Sequence, residues 1–320
     1  MKRVLITGGA GFIGSHLADK CIEKGYYVKI IDDLSTGTIE NIKHLLNNKN
    51  FSAVYDTILN RELLFDLFQD VDCVYHLAAA VGVQYIIDNP LHSLEVNVRG
   101  TDYILEAANK YKIKVLLTST SEIYGKNENV PFKEDDDRIL GSTKISRWSY
   151  SCSKALDEFL ALAYFREKRL PIVIARLFNT CGPRQTGRYG MVIPKFVKAA
   201  LLNHNIPVYG DGQQTRSFTS VYDVVDALIK LMESEETNGE VFNIGNTEFI
   251  TIENLAKKII AMTNSKSKIE YIPYEKAFSE GFEDMKHRLP DISKIKKYIG
   301  YEPKYSIDDI LNSVIESFKK

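Results

Sequence analysis

The sequence predicts a doubly wound α/β fold: a parallel sheet with helices on both faces, joined to a smaller, partly discontinuous second domain. Three observations predict it. A short apolar strand at residues 1–7 runs straight into Gly8-Gly9-Ala10-Gly11-Phe12-Ile13-Gly14 and then a helix from near Ile13. A second apolar strand, Tyr27–Ile31, ends in the acidic pair Asp32-Asp33. Apolar strands and helical stretches then alternate as far as Leu177, the pattern of parallel strands joined by right-handed crossovers.

The first turn carries the most information. Glycines at 8, 11 and 14 let the chain turn off the strand, let backbone approach a phosphate, and let the helix pack close to the sheet. The helix N-terminus then offers free N–H groups and a partial positive charge to a diphosphate. Asp32 falls where an acid meets an adenosine ribose in a dinucleotide-binding (Rossmann) unit. A carboxylate there accepts both ribose hydroxyls and repels a 2′-phosphate, so NAD is expected over NADP. A turn cap is the structural alternative for Asp32.

The remaining elements follow in order. A helix is expected over Ile39–Leu46, a strand over Phe51–Tyr55, a helix near Glu62–Phe68 and a fourth strand over Asp72–His76, leading into Leu77-Ala78-Ala79-Ala80. Pro90–Lys110 reads as a long helix, Ile113–Thr118 as the fifth strand, Ser149–Lys168 as another long helix and Ile172–Leu177 as the sixth strand. The helix from Ser149 is apolar nearly all round, so one side covers the sheet and the other needs a partner, most simply a second copy of the chain. After Asn179 the texture changes to short strands and turns. A helix over Tyr222–Met232 and a strand over Val241–Ile244 rejoin the sheet, and helices are expected near Ile252–Met262, Asp291–Ile299 and Asp308–Phe318. The expected division is therefore residues 1–178, with a return segment 217–247, and a substrate domain over 179–320. A ligand cleft belongs at the carboxyl ends of the strands.

Composition narrows the class. The chain has 320 residues, 44% hydrophobic and 26% charged, with a net charge of −1. Near-neutral charge argues against nucleic acid or an anionic membrane as main partner. No apolar run is long enough to span a bilayer, and a strand at the very start leaves no room for a signal peptide, so a cytoplasmic protein is expected. The four cysteines lack C-x-x-C spacing and read as buried free thiols. No metal site is expected. The run Glu134–Asp137 reads as a solvated loop.

Tyr150 and Lys154 lie one helical turn apart on one face. Tyr164 and Lys168 repeat the spacing and serve as an internal control, since they lie far down the helix from the cleft. A free tyrosine titrates near ~10. Bringing it to about 7 takes roughly 4 kcal/mol, which the Lys154 cation and an oxidised nicotinamide together can supply. The fifth strand runs on into Thr118-Ser119-Thr120-Ser121-Glu122, placing two hydroxyls and a carboxylate by the same cleft. Turn and cap chemistry is the alternative reading of such a cluster. Arg147, Arg184, Arg188, Arg216 and Arg288 fall in irregular or cleft segments and suit phosphate or carboxylate binding, Arg216 and Arg288 being best placed.

At this point the chain resembles the extended short-chain dehydrogenase/reductase family acting on nucleotide-diphosphate sugars. The resemblance rests on TGGAGFIG, Asp32, HLAAAVGV, TSTSEIYG, YSCSK, RLFNTCGPR, VYGDG, QTRSFTSVYDV, FNIGN and RLPDISK, and covers nearly the whole length. It implies a tightly held NAD, contacted by Gly8, Gly11, Phe12, Ile13, Gly14, Asp32, Asp33, Asp56, Thr57, Leu77, Ala78, Ala79, Asn97, Thr118, Tyr150 and Lys154. It implies a UDP-sugar held by Asn179, Arg188, Lys195, Tyr209, Arg216 and Arg288. It also implies a catalytic set of Tyr150, Lys154, Thr120, Ser121 and Glu122.

Within the family, Thr120-Ser121-Glu122 is similar to the UDP-glucuronate decarboxylases. The dehydratases resemble one another in Thr-Asp-Glu here, and simple 4-epimerases usually lack the glutamate. The reaction implied is oxidation at C4 of a UDP-glucuronate or UDP-N-acetylglucosaminuronate, followed by loss of carbon dioxide, with Glu122 helping to protonate C5 or orient the sugar. A UDP-sugar or UDP-uronate 4-epimerase is the alternative. A 4,6-dehydratase and a non-catalytic NAD-binding protein follow in that order. A homodimer is expected, built on the helices from Pro90 and Ser149.

Overall fold

The structure is a computed structural model that describes residues 1–187, 191–273 and 287–319. Its centre is a sheet of seven strands: β1 (Arg3–Thr7), β2 (Tyr27–Ile31), β3 (Phe51–Val54), β4 (Cys73–His76), β5 (Lys114–Thr120), β6 (Ile172–Leu177) and the strand Glu240–Ile244. Their order is Glu240–Ile244, β6, β5, β4, β1, β2, β3, and every neighbouring pair is parallel. Alternate side chains feed two cores. Val4 and Ile6 pack with Leu17, Val224 and Leu228 on one face. Leu5 packs with Leu64, Ile104, Leu105 and Ala161 on the other. A parallel sheet buried on both faces reads as continuous apolar runs, which is why its strands were legible in sequence.

The chain returns to this sheet as expected. The helix Val221–Glu233 covers one face, and Glu240–Ile244 pairs with β6 from Glu240↔Val173 to Ile244↔Leu177. A separate core lies over residues 181–315, with Ile193, Phe196, Leu255, Ile259, Leu311 and Val314 at its centre.

Several local expectations are corrected. Ile39–Leu46 is not an α-helix but two 3₁₀ turns, Ile39–Asn41 and Lys43–Leu45. The carbonyl of Ala10 takes the Thr38 N–H at 3.1 Å and the Asn41 amide at 2.9 Å, so the segment is tied to the glycine-rich loop instead. The long helix after Pro90 is Pro90–Leu94, a wide π turn Glu95–Arg99, and Gly100–Tyr111. Val192–Leu201, read as turns because of Pro194, is a helix. Proline is tolerated there because it sits in the first turn, where backbone N–H groups have no helical acceptor. Glu134 is not fully solvated: its Oε1 accepts the Asn243 N–H at 2.8 Å. Cys152 is exposed, whereas Cys21, Cys73 and Cys181 are buried, and all four are free.

Candidate active site

The site lies beyond the carboxyl ends of β1, β4 and β5. Gly8 follows β1 at φ +71°, a conformation that disfavours any side chain. A Cβ on Gly14 would lie 2.1 Å from the Gly8 carbonyl oxygen, so only glycine lets the helix Phe12–Glu23 start this close to the loop. The open groove beside them is lined by Gly8, Asp32, Asp33, Asp56, Ala78 and Ala79.

Asp32 is both a turn cap and a groove residue. Its oxygens accept the N–H groups of Ala10 and Leu34, each at 2.9 Å, and acceptor capacity remains for a ribose. Burial pushes its carboxyl upward, and the backbone bonds oppose this. Asp33 accepts from Ser35, and Asp56 from Thr57 and Asn60. Thr57 caps its own turn through Leu59 N–H at 3.2 Å, a structural use of that hydroxyl. Asn97 props the groove from behind: its Oδ1 takes the Ala80 N–H at 2.8 Å and its amide faces Ser153. Thr118 donates to the His76 carbonyl at 3.0 Å, and the N–H groups of Leu77 and Ala78 are taken by Thr7. Phe12 and Ile13, at the helix start, pack against the core. A glycine turn, a helix N-terminus and a carboxylate at the second strand fit a dinucleotide's diphosphate and ribose.

Tyr150 is the fourth residue of the helix Arg147–Lys168. The Thr120 hydroxyl hydrogen-bonds its phenol. Burial, then the charges of Glu122 and Asp157, push the phenol well above its ordinary value, and the Thr120 bond only partly opposes them. Lys154 does not stand as an unopposed cation beside the phenol: its Nζ donates to Asp157 Oδ2 at 2.9 Å, deep in the protein. The chain's own charges therefore keep Tyr150 protonated, and a further positive group is needed to make it a base. An oxidised nicotinamide is such a group. Tyr164, the control residue, packs against the core beneath the sheet.

Thr120 also caps the 3₁₀ turn Ser121–Tyr124 through the Glu122 N–H at 3.2 Å. Ser121 is buried, so the hydroxyl that meets Tyr150 is that of Thr120. The Glu122 carboxylate pairs with Arg288 at 3.0 Å and Arg147 at 3.7 Å. Burial opposes its ionisation, but Arg288 and Arg147, with Arg216 beyond, override it and hold the carboxyl below its usual value. Glu122 is thus an anion, which fits orientation and not the donation of a proton to C5. Arg288 reaches it through a small three-stranded sheet, in which Arg288 stands in register with Arg216.

Of the other expected sugar-binding residues, Lys195 donates to the Tyr209 hydroxyl at 2.6 Å, and its ammonium lies 4.8 Å from that ring's centre. Asn179 takes a positive φ of 34° and donates to the Ser217 carbonyl at 2.7 Å. Arg188 lies outside the described residues. Arg147, one of the arginines whose position in the sequence suits phosphate or carboxylate binding, ranked there behind Arg216 and Arg288; it is buried. Sequence reasoning passed over Asp157, whose signal was its place one turn beyond Lys154. Among the described residues there is no group of three or more side chains able to hold a metal, and no helix long and apolar enough to cross a membrane.

Comparison with known proteins gives consistent relatives. A UDP-N-acetyl-alpha-D-glucosaminuronate decarboxylase of Bacillus cytotoxicus is 43% identical over 320 residues, covering 100% of this chain and 98% of that protein. UDP-glucuronic acid decarboxylase 1 of Danio rerio is 36% identical, over 100% of this chain and 73% of its own. The crystal structure of a UDP-glucuronic acid 4-epimerase from Bacillus cereus, in complex with UDP-glucuronic acid and NAD, superposes with a TM-score of 0.89 at 31% identity, over 99% of each chain. A family model described as GDP-mannose 4,6 dehydratase matches residues 5–314, and the chain belongs to that family.

Proposed function

We propose that the protein is an NAD-dependent decarboxylase of a UDP-uronic acid, with UDP-N-acetylglucosaminuronate favoured over UDP-glucuronate by the 43% identity to the decarboxylase of the former against 36% for one of the latter. The observation that carries the reading is the charge cluster beside Tyr150. Arg147, Arg216 and Arg288 gather around one carboxylate, Glu122. The surplus of positive charge suits a substrate that brings both a diphosphate and a sugar carboxylate. A neutral hexose has less use for it.

When bound, NAD supplies the hydride acceptor for oxidation at C4. Tyr150 takes the C4 hydroxyl proton, and Thr120 steadies the oxygen as its charge develops. The C6 carboxylate is then β to a ketone and leaves as carbon dioxide, its bonding electrons delocalised into an enolate. The arginines hold the carboxylate until that step, and Glu122 keeps them in place. The 4-epimerase reading has one support, the close superposition on the Bacillus cereus enzyme. Incubating protein and NAD with UDP-glucuronate and its 2-acetamido analogue should release carbon dioxide in step with a UDP-pentose. A six-carbon product without carbon dioxide would establish the epimerase instead.

Two further expectations attach to this reading. Asp32 should favour NAD over NADP by roughly a hundredfold, the scale of one like-charge contact near a protein surface. Equal dissociation constants for the two cofactors would count against the assignment. The protein should also be a two-fold dimer through the helices Pro90–Leu94 and Arg147–Lys168. Leu91, Leu94, Leu156 and Phe159 leave large apolar side chains uncovered there, Phe159 at 60% exposure. Light scattering at micromolar concentration checks this, and a monomer mass would refute it.

A further inference from the structure

A buried hydrogen-bonded line starts at the end of β1 and finishes at Lys154. The Thr7 hydroxyl oxygen accepts the N–H groups of Leu77 at 3.2 Å and Ala78 at 3.0 Å. The Leu77 N–H is shared with the Thr7 carbonyl, also at 3.2 Å; the hydroxyl's own proton is directed at His76 Nδ1, 2.8 Å away. The network thus assigns Nδ1 as acceptor and leaves the ring proton on Nε2, which donates to Thr101 Oγ1 at 3.0 Å. Burial, with the Lys154 charge, brings the His76 pKa down to about 3, so the ring stays neutral. The Thr101 proton is left to point at Asp157, whose carboxylate it faces. Oδ2 of Asp157 accepts from Lys154 Nζ at 2.9 Å, and Oδ1 is buried with no hydrogen bond within 3.5 Å. No member of the line is more than 2% exposed.

We propose that Asp157 is a positioning residue: held from behind by Thr7, His76 and Thr101, its carboxylate fixes the Lys154 ammonium and thereby sets the ionisation of Tyr150. The proposal rests on the reading of Tyr150 as the base. A buried ion pair is poor evidence of stabilisation, because desolvating both charges offsets most of their attraction. With Lys154 one turn and Asp157 two turns from the base on the same helix, the pair has another use. Lys154 tied to Asp157 stabilises a phenolate less than a lone ammonium does, and Asp157 itself disfavours that phenolate.

The neighbouring charges leave Asp157 the natural control on this side. Glu122 faces Tyr150 from the turn after β5 but is engaged by arginines. Glu158, next to Asp157, is held by Arg176 at 2.8 Å. On the facing turn Glu95 and Arg99 pair with each other at 3.8 Å. Asp88, His92 and Asp102, on the other packed helices, are exposed.

The test titrates the tyrosinate ultraviolet band of the cofactor-loaded protein, with the Tyr150→Phe protein as blank, so the phenol is read without turnover. Asp157→Asn should move that ionisation down by about one pH unit, a tenfold change, and carry the acid limb of kcat with it while KM for the sugar holds. Asp157→Glu, which keeps the charge, should restore the original limb. Thr101→Val removes the donor behind the carboxylate without touching a charge. Asp157 then leans harder on Lys154, and the limb should move up; this variant decides the matter if Asp157→Asn does not fold. Titrations of the folded variants that coincide with wild type would overturn the proposal. A wild-type protein that releases no carbon dioxide would overturn only the reaction assigned above.

Discussion

Tyr150→Phe is expected to lower turnover by roughly a thousandfold or more, the upper range for loss of a general base, with little change in UDP-sugar affinity. Tyr164→Phe is expected to leave both unchanged. The two tyrosines share the same i,i+4 lysine spacing, so helix chemistry alone does not separate them. Position does. Tyr150 sits in the first turns of its helix, against the Thr120 hydroxyl and near Glu122. Tyr164 lies against the core on the far side, with Asp102 and Glu106 as its charged neighbours. Phe keeps the ring and its packing and removes only the titrating oxygen, so stability should change little. The two proteins, assayed side by side for product and for equilibrium binding of the UDP-sugar, decide the point. Comparable losses in both would remove Tyr150 from the proposed mechanism.

Glu122→Gln is expected to slow decarboxylation by roughly a hundredfold or more. Glutamine keeps the shape but not the charge, so Arg288 and Arg147 lose the anion that holds them, and two buried guanidinium groups are left to repel one another. In deuterium oxide the wild-type product should carry deuterium at C5, because the enolate left by carbon dioxide must be protonated there. Since the arginines keep Glu122 ionised, its proton is not the one delivered. Glu122 should therefore add no fall in rate as pH rises through the ordinary carboxylate range; its own contribution is lost only below that range, where it protonates, and the acid limb above it belongs to Tyr150. A Glu122→Gln enzyme of undiminished rate would reduce the carboxylate to a loop contact. A six-carbon product without solvent deuterium would return the protein to the epimerases.

Much of this was legible in the sequence because the signals were local. The strands Tyr27–Ile31 and Ile172–Leu177 and the helix Ile252–Met262 stand where their apolar patterns put them. The helix Val192–Leu201 was hidden by a proline that a first turn tolerates. The helix expected over Ile39–Leu46 gave way to 3₁₀ turns because the Ala10 carbonyl captures its start from a distant loop.

What the sequence alone determined was the succession of the strands of the main sheet along the chain, the glycine turn with its acid, and the Tyr150–Lys154 spacing. These follow from side-chain size, backbone freedom and a period of 2 or 3.6 residues, which are properties of neighbours along the chain. The ionisation of the site was decided only by tertiary structure. Glu122 reads as a candidate acid until Arg288, brought 166 positions back by strand pairing, and Arg147 hold it as an anion. Lys154 reads as a free cation until the fold buries Asp157 against it. A charge takes its character from groups within a few ångströms, and in a buried site those groups come mainly from distant parts of the chain.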